Sequence, residues 1–94
     1  MEISKEDKGK PVVKALDMTE EMENDAYEVA KKALEKFSIE KDMAQYIKLE
    51  FDRLYSTSWH CIVGKQFGSY VSHDSKHYIY FYIGEMSFLL YKFG

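Results

Sequence analysis

The chain carries one cysteine, Cys61, and one proline, Pro11, in 94 residues. A lone cysteine closes no intrachain disulfide, so nothing covalent staples a fold that lies near the small end of what holds together alone. That usage suits a reducing compartment, the cytosol first and the nucleus also allowed. Glycine is sparse at five residues, and there is no glycine-rich phosphate loop, paired-carboxylate motif or flavin fingerprint, so enzymatic chemistry and a bound cofactor have no positive support. A basic excess is missing as well: 13 Lys and Arg stand against 16 Asp and Glu, a net charge of −3, which argues against a nucleic-acid partner. No run approaches the length needed to cross a bilayer, and the N-terminus lacks the apolar core of a secretory signal, so a soluble protein without a membrane partner is expected.

Apolar and aromatic residues are plentiful, at 46% and 16% of the chain, with eight Tyr and six Phe. They concentrate in Trp59-His60-Cys61-Ile62-Val63-Gly64, in Phe67-Gly68-Ser69-Tyr70-Val71 and in His77-Tyr78-Ile79-Tyr80-Phe81-Tyr82. The stretch from His77 to Ile83 is aromatic or β-branched on both faces. A sheet with one solvated face would therefore leave hydrophobic surface in water, and something must cover it. Helices of the same chain can cover one side; a second copy or a bound extended segment is the economical cover for the rest.

Residues 1–10 are mostly Lys, Glu, Asp and Gly and read as a frayed tail ahead of one domain at 11–94. Pro11 to Leu16 reads as a short edge strand, with the proline where no ladder donor is needed. Asp17, with Glu20 three residues on, predicts a capped helix from about Met18. Its apolar stripe is Met22, Ala26, Val29, Ala30, Ala33, Leu34 and Phe37. Ser38 is the expected cap of a second helix that buries Ile39, Met43, Ile47, Phe51 and Leu54 and ends at Ser56-Thr57-Ser58. From Ser58 the period changes to two, with turns expected at Gly64, Asp74-Ser75 and Gly84-Glu85, so four strands follow the helices. The pattern predicts an α+β fold, two helices packed on an antiparallel sheet.

Cys61 with His73, His77 and His60 has a loose zinc-ligand spacing, and it anchors the alternative of a small metal-binding or enzymatic protein. Geometry opposes this. His60 and Cys61 are neighbours on one strand, so their side chains leave opposite faces and cannot meet at one metal or form a nucleophile pair. Cys61 reads instead as a small buried hydrophobe. Lys65 to Val71 is out of register with the aromatic strand of an RNA-recognition module. The three histidines all lie in or beside the strand region, which raises a pH-sensitive interface as a further expectation.

Ile39-Glu40-Lys41-Asp42, Trp59 to Gly64, Phe67 to Val71 and Lys76 to Tyr82 together resemble the small dynein light chain type 1 family, over about Val12 to Gly94. The resemblance implies a strand-exchanged homodimer in which the segment Phe67 to Ser72 pairs with the other subunit, placing His60, Cys61, Phe67, Ser69, Tyr70 and Val71 at the interface. It implies a non-enzymatic hub that binds disordered linear motifs with a Thr-Gln-Thr-like core by strand addition, in two symmetric grooves, so that partners dimerise. The implied groove is Gln66, Phe67, Gly68, Ser69, Tyr70, Val71, Ser72 and His73, with Glu40 and Lys41 addressing the ligand glutamine and Tyr80 and Tyr82 lining the wall. Implied partners are the dynein intermediate chain and other proteins with such motifs, in the cytoplasm and on the microtubule cytoskeleton. The resemblance also implies that protonating the interface histidine, here His60, weakens the dimer. The chain departs from the family pattern at Tyr46, Ser72, Ser87, Phe88 and Phe93, the last standing where many members have a serine proposed as a phosphorylation switch.

Overall fold

The first helix starts where a hydroxyl can serve its free amides. In a computed structural model, which describes residues 9–94, Thr19 caps α1, Glu20–Lys36, its Oγ1 accepting from the Met22 N–H at 3.2 Å. Glu20, Glu21 and Glu23 in the first turn and Lys36 in the last complement the helix dipole. The cap is not Asp17, because β1 runs on through it, over Pro11–Met18, pairing Asp17 with Tyr78 and Met18 with His77. Ala26, Val29, Ala30 and Ala33 form the buried side of α1. Most of the expected tail, residues 1–8, lies outside the described residues.

The second helix, α2, spans Glu40–Tyr55. Its N-cap is Ile39, with no side-chain cap bond, so Ser38 stands one residue too early. Met43, Ile47 and Phe51 are buried at steps of four, and the next step is the half-buried Tyr55. Leu54 lies off that stripe and Ile39 sits on non-helical backbone ahead of it, which is why they are 42% and 61% exposed rather than buried. The Tyr55 hydroxyl donates to Asp25 at 2.5 Å and ties α2 to α1.

Three strands follow the helices, not four: β2, Trp59–Gly64; β3, His77–Ile83; and β4, Met86–Lys92. The expected strand at Phe67 to Val71 does not form: the segment is held over the sheet face that carries Tyr78 and Tyr80 and pairs with neither edge of its own sheet. The sheet is antiparallel throughout, in the order β1-β3-β4-β2, with β1 at an edge as its sequence indicated. Gly84, at φ 62°, opens the two-residue turn between Ile83 and Met86, a conformation that glycine adopts without strain. Alternation sends Ile79, Phe81, Phe88, Leu90 and Trp59 toward the helices, where all are buried. Phe81 stacks on Phe88 at 5.2 Å, Tyr27 meets Phe81 edge-on at 5.1 Å, and Phe51 meets Trp59 edge-on at 4.9 Å. Both helices thus serve one face, and the other face carries His60, Ile62, Tyr78, Tyr80, Tyr82, Leu89 and Tyr91.

Candidate functional site

The connection between β2 and β3, residues 65–76, crosses that second face as a strap. Phe67 holds its start: the ring lies 5.8 Å from Tyr80 and close enough over Gly64 that a Cβ there would meet Phe67 Cδ2 at 3.3 Å. Its end is clamped more firmly. The Asp74 N–H donates to the Lys92 carbonyl at 2.8 Å, the Lys92 ammonium reaches the Asp74 carboxylate at 3.2 Å, and the Lys76 N–H donates to Asp17 at 3.0 Å. His73 lies against Tyr78 at 4.6 Å. Leu89, on the face away from the helices, is fully buried, so the strap and the flanking tyrosines close over the middle of that face.

Between its anchors the strap is bare. Gly68, Ser69, Tyr70 and Ser72 are exposed, Tyr70 completely. Among the described residues, no main-chain hydrogen bond joins residues 66–73 to another backbone group. Folded chains pair nearly all such groups or leave them to water, so this segment presents a row of donors and acceptors. A second open row lies along the outer edge of β2, the last strand in the sheet order.

Beside that edge is a cavity of about 430 Å³, walled by Gln45, Lys48 and Leu49 of α2 and by Trp59, His60 and Cys61 of β2. Asp52 fixes the two elements together, accepting from the Trp59 N–H at 2.8 Å and from Lys48. Burial works against its ionised form, but the Lys48 ammonium and the Trp59 N–H prevail and hold the carboxyl below its usual range. The Trp59 side chain is fully buried, and its indole N–H has no partner among the described residues. Glu40 and Lys41 are both exposed in the first turn of α2. Tyr80 and Tyr82 stand two apart on the strap-covered face, with the Lys14 ammonium 5.5 Å over the Tyr82 ring.

The cysteine and the histidines do not assemble. His60 is exposed, with Nε2 3.3 Å from the Phe93 carbonyl, while Cys61 turns to the helix side, where burial pushes its thiol pKa up and away from a nucleophile's range. His73 and His77 each turn Nδ1 to a backbone carbonyl, at 2.9 and 2.6 Å, and therefore donate there. No group of three His, Cys, Asp or Glu that could hold a metal exists among the described residues. The metal-binding alternative has no support. Asp52, Lys92 and the Asp17 contact escaped the sequence reading, since each acts on backbone or charge far away in the chain and leaves no local signature.

Fold and site together define a small α+β scaffold with open main-chain edges. The chain belongs to the dynein light chain type 1 family, whose model matches residues 10–93. Among solved structures it is similar to the dynein light chain-like domain of the Fasciola hepatica calcium binding protein FhCaBP2, at 25% identity and a TM-score of 0.74, covering 99% of this chain and 100% of that one. A mercury derivative of the same domain matches at 25% identity and a TM-score of 0.69, covering 98% of this chain and 96% of that one. Members of the family are non-catalytic scaffold proteins with a cytoplasmic, cytoskeletal role, and this chain is placed among them.

Proposed function

We propose that the protein works as a homodimeric, dynein-associated hub that binds short disordered peptide segments by strand addition. The single observation that carries this reading is the bare strap: eight consecutive residues, 66–73, without main-chain partners among the described residues, on a chain whose sheet, among those residues, ends in an open β2 edge. In the proposed assembly the strap of each copy lies on the partner's β2 edge, and the arrangement is isologous. His60, Cys61, Phe67, Ser69, Tyr70 and Val71 then belong to the interface. The outer side of each strap remains open and takes the ligand as a further strand. Gln66 to His73 supply the main-chain ladder, Phe67, Tyr80 and Tyr82 the wall, and Glu40 with Lys41 a donor and acceptor pair for the amide of a ligand glutamine.

The structural unit is residues 11–94, with 1–10 as an appended tail. Suitable partners are the dynein intermediate chain and other proteins carrying Thr-Gln-Thr-like motifs in disordered regions, on the microtubule motor or on motor-independent assemblies. The test combines light-scattering mass with calorimetric titration of a Thr-Gln-Thr peptide. One peptide per subunit of a dimer is the expected result. A monomer throughout the micromolar range overturns the assembly, and a dimer that ignores the peptide overturns the assigned specificity.

A further inference from the structure

A second depression, about 190 Å³, lies between the end of α1 and the first half of α2, lined by Phe37, Asp42, Gln45, Tyr46 and Leu49. Gln45 and Leu49 also wall the larger cavity at the β2 edge, so the two depressions are neighbours along α2 that share these two side chains as a common wall. Apolar side chains on this side of α2 are left open to water. Leu49 is 53% exposed and Ile39, at the head of the same helix, 61%. The Phe37 and Tyr46 rings stand 5.7 Å apart, and the Lys36 ammonium covers the Tyr46 face at 4.9 Å. Asp42 is half-buried in this setting, yet makes no salt bridge among the described residues. The volume is below the range of an independent small-molecule pocket and suits a single side chain.

We infer that this cleft reads the flank of a bound segment: it takes one apolar side chain outside the central motif, with an adjacent basic residue set against Asp42. The occupant is the peptide itself, because the cleft opens one turn along α2 from Glu40 and Lys41, and the half-buried Asp42 carboxylate, without a salt bridge among the described residues, complements a basic ligand residue. This inference rests on the peptide-binding reading above. Burying a leucine or phenylalanine side chain there tightens binding by about 10- to 100-fold.

The test titrates three peptides into the full-length protein: a Thr-Gln-Thr core alone, and the same core extended by Leu-Arg on either side. One extension is expected to bind at least about tenfold tighter than the core and to shift the amide resonances of Gln45 and Tyr46, which the core leaves unmoved. Tyr46→Ala abolishes that gain while binding the core as well as wild type does, and Asp42→Asn removes the part contributed by arginine, read against a Leu-Ser extension. Extensions that add less than about threefold on both sides, or a gain that survives Tyr46→Ala, overturn the cleft while leaving the hub intact. Failure of the core itself to bind overturns both.

Discussion

A strand that pairs on both sides alternates its main-chain groups, each residue turning its N–H and C=O to one neighbour and the next residue to the other. If the strap lies between a partner's β2 edge and a ligand, proline at two adjacent strap positions must therefore break two different interactions. Gly68 and Ser69 suit the experiment because both are exposed, and a Cβ at Gly68 meets nothing within 4 Å. Proline removes one donor and leaves a carbonyl unpaired, a loss of roughly 1–3 kcal/mol per site. Where that donor faces the partner, a symmetric dimer suffers the loss twice. That makes about 2–6 kcal/mol, or a dimer roughly 30-fold to 10⁴-fold weaker. Where it faces the ligand, the dimer stands and peptide affinity falls roughly 5- to 150-fold. Sedimentation equilibrium and peptide titration separate the two outcomes. The unfolding free energy of the isolated chain stays within about 0.5 kcal/mol, since neither residue joins the sheet of its own copy. Gly68→Ala serves as the control and is neutral in both assays. Equal effects of the two prolines on dimer and ligand, or none from either, refute a strap that pairs on both sides.

Two further outcomes test the fold itself. Phe51→Ala, at a fully buried ring set edge-on to Trp59 at 4.9 Å, lowers stability by about 3–5 kcal/mol in urea denaturation; a loss below about 1 kcal/mol would contradict the packing between α2 and β2. Tyr27 and Tyr55 donate to Glu23 and Asp25, and burial first, then those hydrogen bonds, raises both phenol pKa values above the ordinary range. A raised folded-state value means stability that is complete below about pH 10, the unfolded tyrosine value, and is lost as pH climbs beyond it. The Tyr27→Phe/Tyr55→Phe double variant is accordingly less stable than wild type at neutral pH but declines less between about pH 10 and 12, as thermal melts across that range will show.

The helices and the sheet were legible because their burial follows simple periods. The α1 stripe at Ala26, Val29, Ala30 and Ala33 and the alternation of Ile79, Phe81 and Ile83 are buried as the pattern demands. Boundaries were less legible. Asp17 looks like a cap in sequence, but its pairing with Tyr78 keeps it in β1 and leaves the cap to Thr19. Phe67 to Val71 reads as a strand by composition, yet strand pairing needs contact with an edge as well as a propensity, and the strap, held over the sheet face by Phe67 on Tyr80 and His73 on Tyr78, meets neither edge of its own sheet. The Phe37 and Tyr46 cleft was hidden because Phe37 reads as part of the α1 stripe and Tyr46 as a departure from the family pattern, and it is the relative placement of α1 and α2 that brings their rings within 5.7 Å.

The departure of the strap from the period-two rule is itself informative about scaffolding. A segment with strand composition and both ends fixed, Phe67 on Tyr80 and Asp74 on Lys92, has already lost part of the entropy that pairing would otherwise cost. What it offers is mostly main chain, and main-chain pairing tolerates many ligand sequences. In the proposed complex, affinity at one such edge is correspondingly modest, and discrimination falls to the few side chains beside it, Glu40, Lys41 and the α2 cleft. In the proposed dimer, two identical edges related by a dyad would compensate for the modest single-site affinity, because a ligand that is itself dimeric would meet the second groove at millimolar effective concentration once the first is filled. A two-chain ligand should thus outcompete its own single-chain version by about 10²-fold or more at equal motif concentration. Equal competition by the two forms would mean that the grooves cannot be engaged together, and that the scaffold holds partners one at a time.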